Sequence, residues 1–311
     1  MSGLVTLEAK RILSLPFVVT FYSLGRVRRR SMGGADGFSD DRFRFEDRIV
    51  LEADRLNAEC PQDRDDLIEL YGAEPARISV VPCGFDPSEF WPVERQVARD
   101  RIGVCQGEFV ILQLGRMLPR KGVDTVIRGF AQFVRARPYK ARLLVVGSEQ
   151  DDPALDRSPE LSRLRELAQT LGLEDRVDFI GRPSRESLRD YYCAANVFVT
   201  LPWYEPFGMT PLESMACGTP VIGSRVGGIK YMVMDGKTGL LIEPRDPDAL
   251  CGALIRLADD PELRECFRRE SVRHVHEGFS WCQVVPGVED AYLSALKQAK
   301  ARGAPIRRIE S

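Results

Sequence analysis

From residue 107 onward, short apolar runs alternate with segments whose apolar residues recur every three or four positions, and this alternation constrains the fold more than any other feature of the chain. Phe109 to Leu114 reads as a strand, followed by a helix carrying Val123, Val126, Ile127, Phe130, Phe133 and Val134 on one side. The pattern repeats: a strand at Leu143 to Val146, a helical stripe through Leu161, Leu164, Leu167, Ala168 and Leu171, a strand at Val177 to Ile180, and a stripe through Leu188, Tyr191, Tyr192 and Ala195. Val197 to Leu201, a helix around Leu212 to Cys217, Val221-Ile222, a short helix near Ile229 to Val233, Leu240 to Ile242 and the stripe Leu250, Ala253, Leu254, Leu257 complete it. Strands separated by helices of this length pair in parallel through right-handed crossovers, so the spacing predicts a doubly wound α/β domain.

The first 90 residues read differently. They offer a strand at Phe17 to Phe21, a charged helical stretch from about Phe43 to Glu59, a short helix near Leu67 to Tyr71 and a strand at Ile78 to Val81. Two clear strands do not close a doubly wound sheet, so this half is expected to be incomplete. A Pro- and Gly-dense stretch from Pro82 to Pro92 reads as a domain connection. The expected division is a partial Rossmann-like domain at 1–90, a Rossmann-like domain at 91–275, and a C-terminal segment at 276–311 whose helix, with Trp281 and the stripe Ala291, Tyr292 and Ala295, packs back on the first domain. The run Arg26-Val27-Arg28-Arg29-Arg30 is either a solvated loop or a contact for an anion or a membrane surface.

Composition closes off several classes of function. Basic and acidic residues number 44 and 46, a net charge of −2, which does not supply the electrostatic footprint of a nucleic-acid binder. The eight cysteines (Cys60, Cys83, Cys105, Cys193, Cys217, Cys251, Cys266, Cys282) show no metal-ligand spacing and read as reduced, mostly buried thiols. With only His274 and His276, both ending a helix, there is little material for a zinc site or a histidine-based triad. Lys10-Arg11 before an apolar run imitates a signal peptide, but no small-residue cleavage site follows and no apolar run reaches the 18 residues of a membrane span, so a cytoplasmic address is expected.

Ligands of open α/β sheets gather beyond the carboxyl ends of the strands. The first strand of the second half ends in Leu114-Gly115-Arg116, with Arg120-Lys121-Gly122 at the following helix start, so that Arg116 and Lys121 place two cations beside a helix N-terminus suited to a phosphate or diphosphate. Further endings are Val146-Gly147-Ser148, Gly181-Arg182-Pro183 and Ile222-Gly223-Ser224 with Gly227-Gly228 behind it. After Leu201 come Glu205 on a loop and Glu213, placed in the first turn of the next helix. Carboxylates accept paired hydrogen bonds from sugar hydroxyls, and Glu213 is equally explained as an acid complementing the helix dipole. Asp63-Arg64-Asp65 and Asp246-Pro247-Asp248 have the D-x-D form of a metal pair, but both read better as helix starts, so no metal is expected.

The stretch E-P-F-G-M-T-P-L-E from Glu205 to Glu213, with S-M-A-C-G-T-P-V-I-G-S-R-V-G-G-I-K and D-G-K-T-G-L-L after it, resembles the retaining glycosyltransferases of family 4, which have the GT-B fold of two Rossmann-like domains. Gly115 to Gly122, Val81 to Asp86 and Val19 to Gly25 carry further likeness, and the resemblance spans about residues 12 to 296. It implies a hexosyltransferase taking its sugar from a nucleoside diphosphate, a UDP-sugar foremost, with anomeric configuration retained and no metal or resident cofactor. Arg116 and Lys121 would hold the diphosphate and Glu205 the hexose near its 3-hydroxyl. Glu213 would hold the ribose, and the amides of Phe207, Gly208, Met209 and Thr210 the sugar and phosphate, with Gly115 and Arg182 also lining the nucleotide-sugar site. The acceptor, a sugar, lipid-linked sugar or small molecule, is left open, as is peripheral membrane contact. Where the family carries histidine in its T-x-H-x-L-G motif this chain has Tyr22, either a donor contact with altered chemistry or a polar aromatic in a wall between domains. The halves of a GT-B protein are normally similar in size, so the first is expected to lack its opening part; the alternative function is accordingly a nucleotide-sugar-binding fragment without turnover.

Overall fold

The computed structural model describes residues 2–33, 37–137, 140–148 and 158–302. Two compact units divide the chain, one formed by residues 1–84 together with 281–311 and the other by 85–280. The dividing points therefore fall at 84/85 and 280/281, not at 90/91 and 275/276. Phe85 donates its N–H to Phe279 O at 3.0 Å and bridges Ser280 in parallel, which binds both segments to the second unit.

In the first unit, α1 (Ser2–Leu13), β1 (Val18–Thr20), α2 (Gly25–Met32), α3 (Asp41–Glu52), β2 (Arg55–Ala58), α4 (Pro61–Tyr71) and β3 (Ile78–Val80) follow one another, and the strands form a parallel sheet in the order β1-β2-β3. The register pairs Val18 with Arg55 and Leu56 with Ile78. The helical stretch expected from 43 to 59 is thus corrected: the helix stops at Glu52 and a strand takes its place. Ala53 is already extended (ψ 139°), and the following residues alternate in burial, with Leu56 and Ala58 inside, which is the two-residue period of a strand. The arginine run is corrected as well. It is the helix α2, and its charges are engaged at short range: Arg26 with Asp47, Arg29 with Asp40 and Arg30 with the buried Asp66. The last helix, α13 (Trp281–Ala301), buries Val284, Ala291, Ala295 and Ala299 and packs on β1 and β2; Tyr292 lies on its exposed side.

The second unit has α5 (Arg95–Ile102), β4 (Phe109–Leu114), α6 (Val123–Ala136), β5 (Ala141–Val146), α7 (Pro159–Thr170), β6 (Val177–Ile180), α8 (Arg185–Ala194), β7 (Val197–Thr200), α9 (Met209–Ala216), β8 (Val221–Ser224), α10 (Ile229–Met232), β9 (Gly239–Ile242), α11 (Pro247–Asp259) and α12 (Pro261–Gly278). Its six strands are parallel in the order β6-β5-β4-β7-β8-β9. Val110, Ile111 and Leu112 on β4 and Val197, Phe198 and Val199 on β7 are fully buried, as strands covered by helices on both faces must be. Connections run outward in opposite directions from β4 and β7, so the point where strand order reverses lies between these two, and their carboxyl ends open the crevice where such sheets bind ligands. Asp246 caps α11 by accepting from Ala249 N–H at 2.8 Å and Asp260 caps α12 through Leu263 N–H, the roles of helix starters. No helix among the described residues is long and apolar enough to cross a membrane.

Candidate active site at the end of the central strands

Two loops meet at the reversal point. After β4 the chain passes Gly115 and Arg116 into a 3-10 turn, Pro119–Lys121, and enters α6 through Gly122; after β7 it runs from Leu201 through Glu205 to Gly208 and enters α9. Trp203 N–H donates to Arg120 O at 2.8 Å, and Arg120 Nη1 to Tyr204 O at 3.2 Å, which ties the loops together. Gly122 is left-handed (φ +67°), and a Cβ there would stand 2.0 Å from Leu201 O, so only glycine allows this approach. Gly227 has φ +45° and would place a Cβ 1.7 Å from Glu205 O, so a second close contact fixes the backbone of Glu205 from the other side.

The side chains of Lys121 and Glu205 form an ion pair here, both largely shielded, with Arg120 Nη1 3.8 Å from the same carboxylate oxygen. Sequence reasoning assigned Lys121 to a diphosphate beside Arg116; in the structure the lysine's partner is Glu205. Arg116 is exposed at the end of β4, and its carbonyl accepts from Leu118 N–H at 2.9 Å. Gly115 N–H donates to Val146 O at 3.0 Å, holding the loop against β5. Phe207 and Gly208 are buried, Met209 is exposed and Thr210 half-buried, and no side chain caps α9, whose first N–H groups carry the positive end of the helix dipole. Arg182 is exposed at the end of β6, three strands away from β7, and is not brought to the ion pair.

Glu213 is corrected in place. It lies beyond the first turn of α9, which holds no acid, and is only 7% exposed. It therefore does not serve as a helix-start acid. Burial pushes its carboxyl up, opposed by the hydroxyl of Tyr192, which donates to Oε2 at 2.8 Å, and by the charge of Arg185. Tyr192 is fully buried on α8 between the edges of Phe90 and Phe198. Arg185 is itself paired with Glu89 at 2.5 Å. Sequence reasoning placed Tyr192 in an apolar stripe and missed its role; the signal was a tyrosine inside a core, whose hydroxyl must find a partner. Tyr22, in the first unit, is 72% exposed, and desolvation together with nearby Cys83 and Glu59 raises its phenol above the ordinary value.

Two family descriptions cover nearly the whole chain: Glycosyl transferases group 1 matches residues 94–273 and Glycosyltransferase Family 4 matches residues 1–89. The chain belongs to glycosyltransferase family 4. Among relatives of this transferase, the D-inositol 3-phosphate glycosyltransferase of Acidothermus cellulolyticus is 38% identical over all of this chain and 68% of its own length. A D-inositol 3-phosphate glycosyltransferase of Catenulispora acidiphila is 33% identical over 97% of this chain and 70% of its own. In structure, sucrose-phosphate synthase of Thermosynechococcus elongatus superposes with a TM-score of 0.85 at 32% identity, covering 96% of this chain and 72% of that one. Anabaena HepE, solved with UDP and glucose, has a TM-score of 0.81 at 21% identity over 94% of this chain and 75% of its own, a likeness of fold. The family 4 transferase thus has the α/β architecture of GT-B glycosyltransferases.

Proposed function

We propose that this glycosyltransferase moves a hexosyl unit from a UDP-sugar to a hydroxyl of a small phosphorylated polyol, D-inositol 3-phosphate being the first acceptor to test, with retention of anomeric configuration. The acceptor class follows the names of the relatives that align with the whole chain. The observation that carries the donor reading is the Lys121–Glu205 ion pair at the reversal of strand order, with the buried Glu213 and the uncapped start of α9 beside it.

In this reading Arg116, Lys121 and the first amides of α9 take the donor's diphosphate, Glu213 accepts from the ribose hydroxyls, and Glu205 accepts from the hexose. Gly115 gives the backbone room to approach the ligand, and Arg182 lies toward the nucleoside end. Breaking the anomeric C–O bond concentrates negative charge on the departing diphosphate. Fixed cations and helix amides therefore stabilise the transition state more than the ground state, and the donor needs no resident cofactor. Lys121 and Arg120 hold Glu205 as a hydrogen-bonding anchor. The acceptor hydroxyl attacks from the face the diphosphate leaves, and the leaving phosphate takes its proton.

Calorimetry with UDP, GDP and ADP, followed by transfer from UDP-hexoses to D-inositol 3-phosphate, tests both halves. UDP binding that falls at least tenfold in Arg116→Ala, with transfer lost in Glu205→Gln, is the expected result. Tight UDP binding without donor hydrolysis or transfer to any acceptor would make the chain a binding module; binding untouched by Arg116→Ala and Lys121→Ala would sink the diphosphate assignment.

A further inference from the structure

Behind Glu213, on the side away from the strand ends, two thiols share one cavity. Cys193, near the end of α8, and Cys217, directly after α9, are 4% and 3% exposed and line a cavity of about 370 Å3 with Pro92, Arg95, Thr219 and Arg268. Cys193 Sγ lies 3.8 Å from Cys217 O and accepts from Val93 N–H at 3.3 Å. The neighbouring Cys217 thiol and the Val93 amide hold the Cys193 thiol below its ordinary range, while burial pushes that of Cys217 well above. This is the division of labour between an attacking and a resolving thiol. Elsewhere, Cys105, Cys266 and Cys282 are exposed, and the Cys83 thiol is turned to the carboxylate of Glu59.

We propose that Cys193 and Cys217 close reversibly to a disulfide on reaction with a low-molecular-weight disulfide, and that closure weakens binding of the donor nucleotide. The cavity gives a small molecule a way to the two thiols; its charged lining is balanced, with Arg95 and Glu94 beside Arg268, which is paired with Glu265 at 2.8 Å. In the first step the Cys193 thiolate attacks one sulfur of the small disulfide, forming a mixed disulfide and releasing one small thiolate. Cys217, losing its proton to that thiolate, then attacks the Cys193 sulfur and releases the second. The protein thiols give up two electrons and two protons in all, and the small disulfide leaves as two thiols.

Coupling to the donor site runs through short connections. Tyr192, next to Cys193, donates to the Glu213 carboxylate at 2.8 Å, and Cys217 N–H donates to the Glu213 carbonyl at 3.0 Å. Thr219 Oγ1 holds Tyr192 O at 2.6 Å from the Cys217 side. A disulfide demands about 2.0 Å between sulfurs and about 3.8 Å between Cβ atoms, so closing it draws the ends of α8 and α9 together and misaligns the Tyr192–Glu213 bond. This consequence rests on the assignment of Glu213 to the donor ribose; the disulfide itself does not.

The test uses the full chain, reduced or incubated with glutathione disulfide, alkylated and mapped by mass spectrometry, with UDP affinity measured on both forms. The expected result is a Cys193–Cys217 cross-linked peptide pair reversed by dithiothreitol and a fall of about tenfold in UDP affinity, the size of one lost hydrogen bond to a carboxylate. Cys193→Ser and Cys217→Ala should keep the reduced-state affinity and lose the response, two variants guarding against a folding defect in either. Free Cys193 and Cys217 under conditions that glutathionylate Cys105, Cys266 and Cys282 would overturn the proposal. A cross-linked form binding UDP as tightly as the reduced form would overturn the coupling. Reduced protein that binds none of UDP, GDP and ADP refutes the donor reading instead, since the cross-link is read independently by mass.

Discussion

At the residue scale, the chemistry of the site is governed by what a carboxylate meets when it leaves water. Glu213 is buried with one hydroxyl partner, so its carboxyl is raised by desolvation and only partly brought back by Tyr192. In the proposed role, Glu213 accepts from the ribose hydroxyls in its ionised form. UDP affinity should therefore fall as pH is lowered through a midpoint above the ordinary glutamate range, and Tyr192→Phe should move that midpoint higher while costing about tenfold in affinity at neutral pH, measured by calorimetry across pH. Asp63 in the first unit makes a second case. It is 5% exposed, its Oδ2 has no hydrogen-bond partner, and burial with Glu59 and Asp66 nearby pushes its carboxyl to about 7. A carboxyl raised on folding contributes stability that is present below its unfolded value and lost as pH rises through the folded one. Asp63→Asn should accordingly be near neutral at pH 4 and stabilise the protein by roughly 2–4 kcal/mol at pH 8, read from denaturant midpoints at the two pH values.

Elements position these residues through backbone contacts that tolerate little change. The β4–α6 and β7–α9 loops are held together where Gly122 faces Leu201 O, and neither loop alone orients the Lys121–Glu205 pair. Gly122→Ala should destabilise the second unit by at least about 2 kcal/mol, through left-handed strain and a clash that cannot relax without parting the loops, and should abolish UDP binding in calorimetry. Stability with unchanged binding would show that the loops are joined elsewhere. A helix that periodicity did not announce also matters. On α5, Arg99 is 3% exposed and donates to Ala194 O, Gln106 O and Asn196 Oδ1, while Asn196 accepts Val110 N–H at 2.8 Å. A buried guanidinium bound to the starts of β4 and β7 reads in sequence as one more surface arginine. Similarly, the arginines of α2 looked like a solvated loop because their acidic partners Asp40, Asp47 and Asp66 are distributed over ten to forty later positions.

For the whole molecule, two units mean that a single unfolding transition is not expected. UDP at a hundred times its Kd should stabilise the 85–280 unit by about 2.7 kcal/mol, and hydrogen exchange should slow at 115–122 and 205–213 while 18–23 stays unchanged. Protection confined to 18–23 would place the nucleotide in the wrong unit. What the sequence by itself determined is the order of the strands and helices of the second half and which glycines, cations and acids stand at the strand ends. These features are local, written in apolar periodicity and in the residue types that end a strand. The tertiary structure alone decided the partners: Lys121 with Glu205 across 84 positions, Tyr192 with Glu213, Cys193 with Cys217, and the strand β2 where a helical period seemed to continue. Partnership depends on which loops the parallel crossovers bring to one edge of the sheet, and on how much water is excluded there. A single chain of residue types does not state either quantity, because both arise only when distant segments share one core.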